Sequence, residues 1–230
     1  MKTYPGAKNI AAVAPNIGYE GMIEALKTQA AERGLKVSLV EMWEWGTTDF
    51  VPTYTRVLAS KPDVVFAMNS GQATYQLMAA RQLGFKGPFI SNSPLGADVF
   101  VNVVNDPVAL TDVLVNSPDV YHPTDVIKDL MRRWKEKYGG EPFVSDCIHP
   151  YDMPWILAQA MEKAQSIDPE KLLATLDTMT APGSLKVNFG LGHMGGKKRF
   201  GVNRALYRPL PLTRIMNGKT QFIGFLPPPE

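Results

Sequence analysis

Between Asn9 and Val115, short apolar runs alternate with longer stretches whose apolar residues return every three or four positions. Ile10–Ala14 is the first run. It breaks at Pro15-Asn16 and is followed by Met22, Ile23, Leu26 and Ala30 on one helical face, with Gly34 placed as the stop. Lys36–Met42 predicts a second strand. Asp49 is placed to cap a helix over Phe50–Ser60, where Tyr54, Val57 and Leu58 face inward and Pro52 is tolerated in the first turn. Val64–Met68 is wholly apolar, as strands buried on both faces are. Gln72–Leu83 predicts a helix ended by Gly84, Pro88–Ser91 a strand, Val99–Val104 a helical turn and Asp112–Val115 a further strand. Strands alternating with helices of this length predict βαβ crossovers and a doubly wound, mainly parallel α/β sheet.

The pattern changes at Ser117. Ile127, Leu130, Met131, Trp134 and Tyr138 share one face of a helix over Pro123–Tyr138, which Gly139-Gly140 closes. Phe143–Ala164 contains a second helix, and Asp168-Pro169 starts a third that carries Leu172, Leu173, Leu176 and Met179. After Pro182-Gly183 the pattern becomes β over Ser184–Phe189, Arg199–Arg208 and Leu212–Phe225. The glycine-rich Gly190–Gly196 reads as a loop between strands, because no helix follows it to bind a dinucleotide phosphate. Asn217-Gly218 is a tight hairpin signal, since both central residues of that turn need positive φ.

At 230 residues the chain is long enough for one large α/β domain or two lobes. A net charge of +2 is too small to argue for a nucleic-acid or anionic-membrane partner, and no apolar run approaches a membrane span. Lys197-Lys198-Arg199 reads as a solvated turn. The single cysteine, Cys147, excludes an intrachain disulfide and leaves export open. The first eight residues lack the apolar core of a secretory signal.

Loops at the carboxyl ends of strands are where α/β sheets place ligand contacts. Here they hold Tyr19, Asn69-Ser70 and Asn92-Ser93, polar or aromatic side chains able to orient a small zwitterion or carboxylate. Packing for Tyr19, and turn chemistry for the Asn and Ser residues, explain the same residues structurally. His122, His149 and His193 sit on separate segments without metal-ligand spacing. Cys147 two residues before His149, and His149 near Asp152, are the only hints of a nucleophile or base, and a structural role accounts for each. No catalytic residue, metal ligand or cofactor is expected.

The order of motifs resembles the type I periplasmic binding proteins, in the branched-chain amino acid-binding group that feeds ABC importers. The residues that carry it are Ile10–Val13 with Gly18-Tyr19-Glu20-Gly21, then Gly46-Thr-Thr-Asp49-Phe50 and Lys61-Pro62-Asp63-Val64-Val65. Ala80-Arg81-Gln82-Leu83-Gly84, Pro88-Phe89-Ile90, Lys135–Gly139, Tyr151-Asp152 and Gly183 with Val187-Asn188-Phe189 follow in order, before the Asn-Gly hairpin.

The resemblance implies a non-catalytic solute-binding protein, periplasmic or extracellular, that closes two lobes on a small amino acid or carboxylic acid for an ABC permease. A ligand-sensing module of the same fold, or a small α/β enzyme, are the alternatives. It implies that 1–116 and 181–230 form an intact α/β lobe, while 117–180 is the helical remainder of the other. The first-lobe segment that such proteins carry before the stretch like Ile10 is absent. The expectation is therefore a piece of a longer protein, or self-association through helices that have lost their sheet. Tyr19, Asn69, Ser70, Asn92 and Ser93 are the ligand-facing positions the resemblance implies, with Asp146 contributed from the other lobe. Asp146 also fits as a helix N-cap. Relatives that hold an α-amino group offer a carboxylate near Ser93, and Ser or Asn there turns the expectation toward ligands without an ammonium.

Overall fold

The computed structural model describes residues 4–68, 71–92 and 96–227 and divides into two units. Unit 1 comprises Met1–His122 with Thr213–Phe222, and unit 2 comprises Pro123–Leu212 with Ile223–Glu230.

Unit 1 follows the alternation read from the sequence. Strands β1 (Asn9–Pro15), β2 (Lys36–Trp43), β3 (Val64–Ala67), β4 (Phe89–Ser91) and β5 (Val113–Val115) alternate with helices α1 (Glu20–Ala31), α2 (Val51–Ala59), α3 (Ala73–Gln82) and α4 (Ala97–Val104). The sheet is completed by β9 (Leu210–Met216) and β10 (Lys219–Leu226), in the order β10-β9-β5-β4-β3-β1-β2. Pairs β1–β2, β1–β3, β3–β4 and β4–β5 are parallel, and β5–β9 is antiparallel.

Alternation along each strand sends side chains to two different cores. Ala11, Val13, Val65, Ala67, Phe89, Val113 and Val115 meet Phe50, Tyr54, Leu77 and Phe100 on one face. Ala12, Ala14, Ile23 and Met68 cluster on the other, around α1. Each large side chain buried this way contributes about 1.5–3 kcal/mol relative to exposure. Deep in unit 1 the Tyr54 hydroxyl donates to Gln76 Oε1 over 3.1 Å, while Gln76 Nε2 is buried without a partner among the described residues. Burial pushes that phenol well above its usual range. Arg81 ties the end of α3 to the next two loops by donating to the carbonyls of Phe85, Gly87, Ala109 and Thr111. The β9–β10 turn has φ +50° at Asn217 and +74° at Gly218, the two positive values its sequence predicts. Asp49 departs slightly from expectation: Phe50 occupies the N-cap position of α2, and Asp49 Oδ1 accepts from Val51 N over 3.0 Å.

Unit 2 contains α5 (Asp125–Tyr138), a 3-10 turn at Ser145–Cys147, α6 (Ile148–Ala164) and α7 (Pro169–Thr178). Strands β6 (Leu185–Val187), β7 (Gly190–Gly195) and β8 (Ala205–Tyr207) follow, with the short α8 (Lys197–Phe200) between the last two. Asp168 caps α7 as predicted, its Oδ1 accepting from Lys171 N over 3.0 Å.

Three expectations are corrected here. Gly190–Gly195 is a strand, the middle one of the antiparallel order β6-β7-β8. Its glycines fit that place, because a Cβ on Gly192 would lie 2.9 Å from the Tyr207 carbonyl. The β pattern over Arg199–Arg208 contains only β8, the preceding residues forming α8 and a bend. The third correction concerns 181–212, which the sequence groups with the α/β lobe. These residues fall in unit 2, where they give the helices a small sheet to cover. Ile156, Ala160, Leu172 and Met179 bury against Leu185 and Met194 in a shared core. Other apolar side chains of α5 and α6, among them Val126, Tyr138, Met153, Trp155 and Leu157, remain exposed.

Candidate functional site

The strand order β5-β4-β3-β1-β2 changes direction between β1 and β3, because the chain adds β2 on one side of β1 and β3 on the other. At such a switch point the two flanking crossovers leave the sheet on opposite faces, and a crevice opens outside the carboxyl ends of the strands. The ladder continues one residue beyond the strands at this edge. Asn16 N donates to Trp43 O, Met68 N to Val13 O, Asn92 N to Ala67 O and Asn116 N to Ser91 O, over 2.7–3.4 Å. Helices α1 and α4 begin at the same edge, after β1 and β4, so their free amide groups favour a negatively charged group there.

Tyr19 sits at the N-cap position of α1, and its carbonyl accepts from Met22 and Ile23. Its ring packs on the cluster of Ala12, Ala14, Ile23 and Met68, and burial raises its phenol above the usual value. Packing and placement at the edge are thus compatible at Tyr19, since its ring is only partly buried against the core. Asn92 follows β4 directly, and its Nδ2 approaches Met22 Sδ of α1 to 2.8 Å. Asn69, Ser70 and Ser93 lie outside the described residues. Asp146 lies in unit 2, within the 3-10 turn at Ser145–Cys147, and the N-cap position of α6 belongs to Cys147. Of the six sequence-predicted residues, the structure therefore places Tyr19 and Asn92 at one sheet edge.

Asn116 was not singled out by the sequence. The signal was nonetheless one it shares with Asn92: a polar residue directly after a short, mostly buried strand. Among the described residues its side-chain Oδ1 is buried without a hydrogen-bond partner, as is Gln72 Oε1 at the N-cap position of α3.

The concavities among the described residues include two that lie elsewhere. One of about 520 Å³ is lined by Met78, Arg81, Phe85, Lys86 and Val108 at the opposite, amino edge of the unit 1 sheet. The other, about 560 Å³, is lined by Tyr151, Trp155, Gln159, Lys186 and Asn188 in unit 2. Neither contains Tyr19 or Asn92. Among the described residues, no group of three His, Cys, Asp or Glu side chains is arranged to hold a metal ion. His122 Nδ1 lies 2.8 Å from the buried Asp119 carboxylate, an orienting contact the sequence did not suggest. The His149 side chain, weighed above as a base, lies outside what the structure describes.

The family profile of periplasmic binding proteins matches residues 1–220. The chain belongs to this family. A curated relative, the leucine-, isoleucine-, valine-, threonine- and alanine-binding protein of Pseudomonas aeruginosa, is 25% identical over 186 residues, 79% of this chain and 48% of its own length. Among solved structures, a leucine-binding protein of Thermotoga maritima matches with a TM-score of 0.73 at 20% identity, over 98% of this chain and 63% of that one. A solute-binding protein from an ABC transporter of Rhodopseudomonas palustris, solved in complex with benzoate, matches with a TM-score of 0.72 at 13% identity, over 97% of this chain and 59% of that one. The periplasmic-binding-protein chain described here thus spans about half the length of the curated relative and about three-fifths of these solved chains. Family members are periplasmic, and no helix among the described residues is long and apolar enough to cross a membrane.

Proposed function

We propose that this chain is part of a solute-binding protein that captures a small amino acid or carboxylic acid for an ABC permease, in the periplasm or outside the cell, without catalysing a reaction. The observation that carries the reading is the carboxyl edge of the unit 1 sheet. There Tyr19 and Asn92 stand beside the start of α1, and α4 begins after the β4 loop. A carboxylate on that edge gains hydrogen bonds and a favourable dipole at two helix starts, while the Tyr19 ring offers an apolar wall. The names of the relatives, binders of aliphatic amino acids and in one case of benzoate, set the size and charge of the ligands to try.

The test is thermal unfolding of the chain with L-leucine, L-valine, L-alanine and benzoate, followed by calorimetric titration of any stabilising compound. A ligand at a hundred times its Kd raises the melting temperature of a chain this size by on the order of 5 °C. The Tyr19→Ala variant should keep its fold and weaken that binding tenfold or more. A chain whose melting temperature moves with none of these compounds, or a Tyr19→Ala variant that binds as wild type does, would count against the reading.

A further inference from the structure

Asn116 stands at the same edge, and the role argued for it rests on the function just proposed. Ser91 pairs with Val115 in the parallel β4–β5 ladder, and Asn116 N extends that ladder by donating to Ser91 O. Asn92 and Asn116 are therefore adjacent, in register, one residue past the ends of neighbouring strands. Alternation assigns their side. Phe89, Val113 and Val115 point into the core shared with α2, α3 and α4, so Asn92 and Asn116 point to the α1 side. The approach of Asn92 Nδ2 to Met22 on α1 agrees. The two carboxamides thus stand side by side, on the face where Tyr19 packs.

Their hydrogen bonding differs. Asn92 is engaged with Met22, whereas Asn116 Oδ1 is buried with no donor among the described residues. A buried carbonyl oxygen without a donor is unfavourable, and native structures keep few of them. One that survives beside a ligand-binding edge is completed when the ligand brings an N–H or O–H. Benzoate and other bare carboxylates bring none.

We propose that Asn116 is a specificity-determining residue of this site: its Oδ1 accepts a hydrogen bond from an ammonium or hydroxyl group on the ligand, and so selects α-amino or α-hydroxy acids over bare carboxylic acids. The chain needs no carboxylate at Ser93 for this, because the carboxamide oxygen takes that part. A neutral acceptor also serves a hydroxyl as well as an ammonium, which a carboxylate does less evenly.

The experiment is calorimetric titration of the full chain with three probes of one shape: L-leucine, its 2-hydroxy analogue and 4-methylpentanoate. Wild type should bind the first two at least tenfold more tightly than the third. Asn116→Leu, of similar volume and without an acceptor, should reduce that ratio to about one while still binding 4-methylpentanoate. Asn116→Asp should keep L-leucine and widen its lead over the hydroxy acid. Thermal melts confirm that each variant is folded. Equal binding of all three probes by wild type overturns the assignment and leaves the binding function standing. So does loss of L-leucine binding in Asn116→Asp, which would make the amide a donor to the ligand. An Asn116→Leu variant with an unchanged ratio also overturns it. If wild type binds none of the three probes, the proposed function fails, and the role of Asn116 fails with it.

Discussion

Gln159 holds Lys186 by both of its main-chain groups: Nε2 donates to Lys186 O over 2.9 Å, and Oε1 accepts from Lys186 N over 2.8 Å. Lys186 is the middle residue of β6, an outer strand of the three-stranded sheet. A side chain from α6 thus stands where another strand would pair. Open ladder groups on an edge strand attract other chains, and this carboxamide closes one pair of them.

Replacing Gln159 by Leu removes both bonds, together with the one its Nε2 donates to Trp155 O within α6 over 3.1 Å. At roughly 1 kcal/mol net per hydrogen bond, unfolding free energy should fall by about 1–2 kcal/mol. Gln159→Glu keeps an acceptor and loses the donor, so it should cost about half as much. Urea denaturation of the three proteins measures this, and light scattering against concentration reports whether the freed edge associates. An Gln159→Leu variant with the wild-type midpoint would mean that the clamp is neutral.

The clamp also marks the limit of what the sequence discloses. The unit 1 strands and helices are legible because each is fixed by its own apolar period and its own punctuation, such as Gly34, Gly84 or Asn217-Gly218. Gly190–Gly195 has neither a strand-like alternation nor β-branched residues. It is a strand because Leu185 and Tyr207 arrive on either side of it and need its missing side chains, which is tertiary context. The unit boundary is hidden for the same reason: residues 181–212 read as strands, and no local feature says which sheet they join. At the candidate edge, Tyr19 and Asn92 were legible as polar positions after apolar strands. Asn116 obeys the same rule, but its distinguishing mark, a buried oxygen with no donor, exists only once β4 and β5 are paired.

Tyr4 joins the start of the chain to the strand ends of unit 1. Its hydroxyl donates to Asp112 Oδ1 over 2.6 Å, and Arg214 Nε donates to the same oxygen over 2.8 Å. Burial, and then the bond to Asp112, push the Tyr4 hydroxyl far above its ordinary value. A group whose pKa is raised by folding stabilises the fold fully below its unfolded value, about 10 for tyrosine, and loses that contribution as pH climbs further. Tyr4→Phe should therefore cost about 1 kcal/mol at pH 8, and the gap from wild type should narrow at pH 11. Urea midpoints at the two pH values check this. A constant gap would assign the loss to packing alone.

Asp152 and Arg208 form the buried ion pair of unit 2, with 2% and 10% of their side chains exposed and 3.3 Å between Oδ2 and Nη1. Asn188 N donates to the other carboxylate oxygen over 2.6 Å, and the Arg208 guanidinium lies 5.2 Å from the centre of the Phe189 ring. Burial raises the Asp152 carboxyl above its usual range, with Asn188 and Arg208 pulling it back only in part. Its folded value is thus the higher one, so protonation favours the fold at low pH, and that advantage is lost as pH rises through the folded value. At neutral pH the ionised carboxylate is a desolvated charge that Arg208 offsets. Arg208→Met keeps only part of the aliphatic stem, removes the guanidinium from Phe189 and leaves that charge alone, which should cost about 3–5 kcal/mol at pH 7.5. At pH 4.5 the carboxyl can protonate, and the same substitution should cost distinctly less. Adding Asp152→Asn to Arg208→Met should recover much of the loss at pH 7.5, because both charges are then gone. Equal losses at the two pH values, with no recovery in the double variant, would show that Arg208 stabilises unit 2 through its stacking on Phe189 and not through its charge.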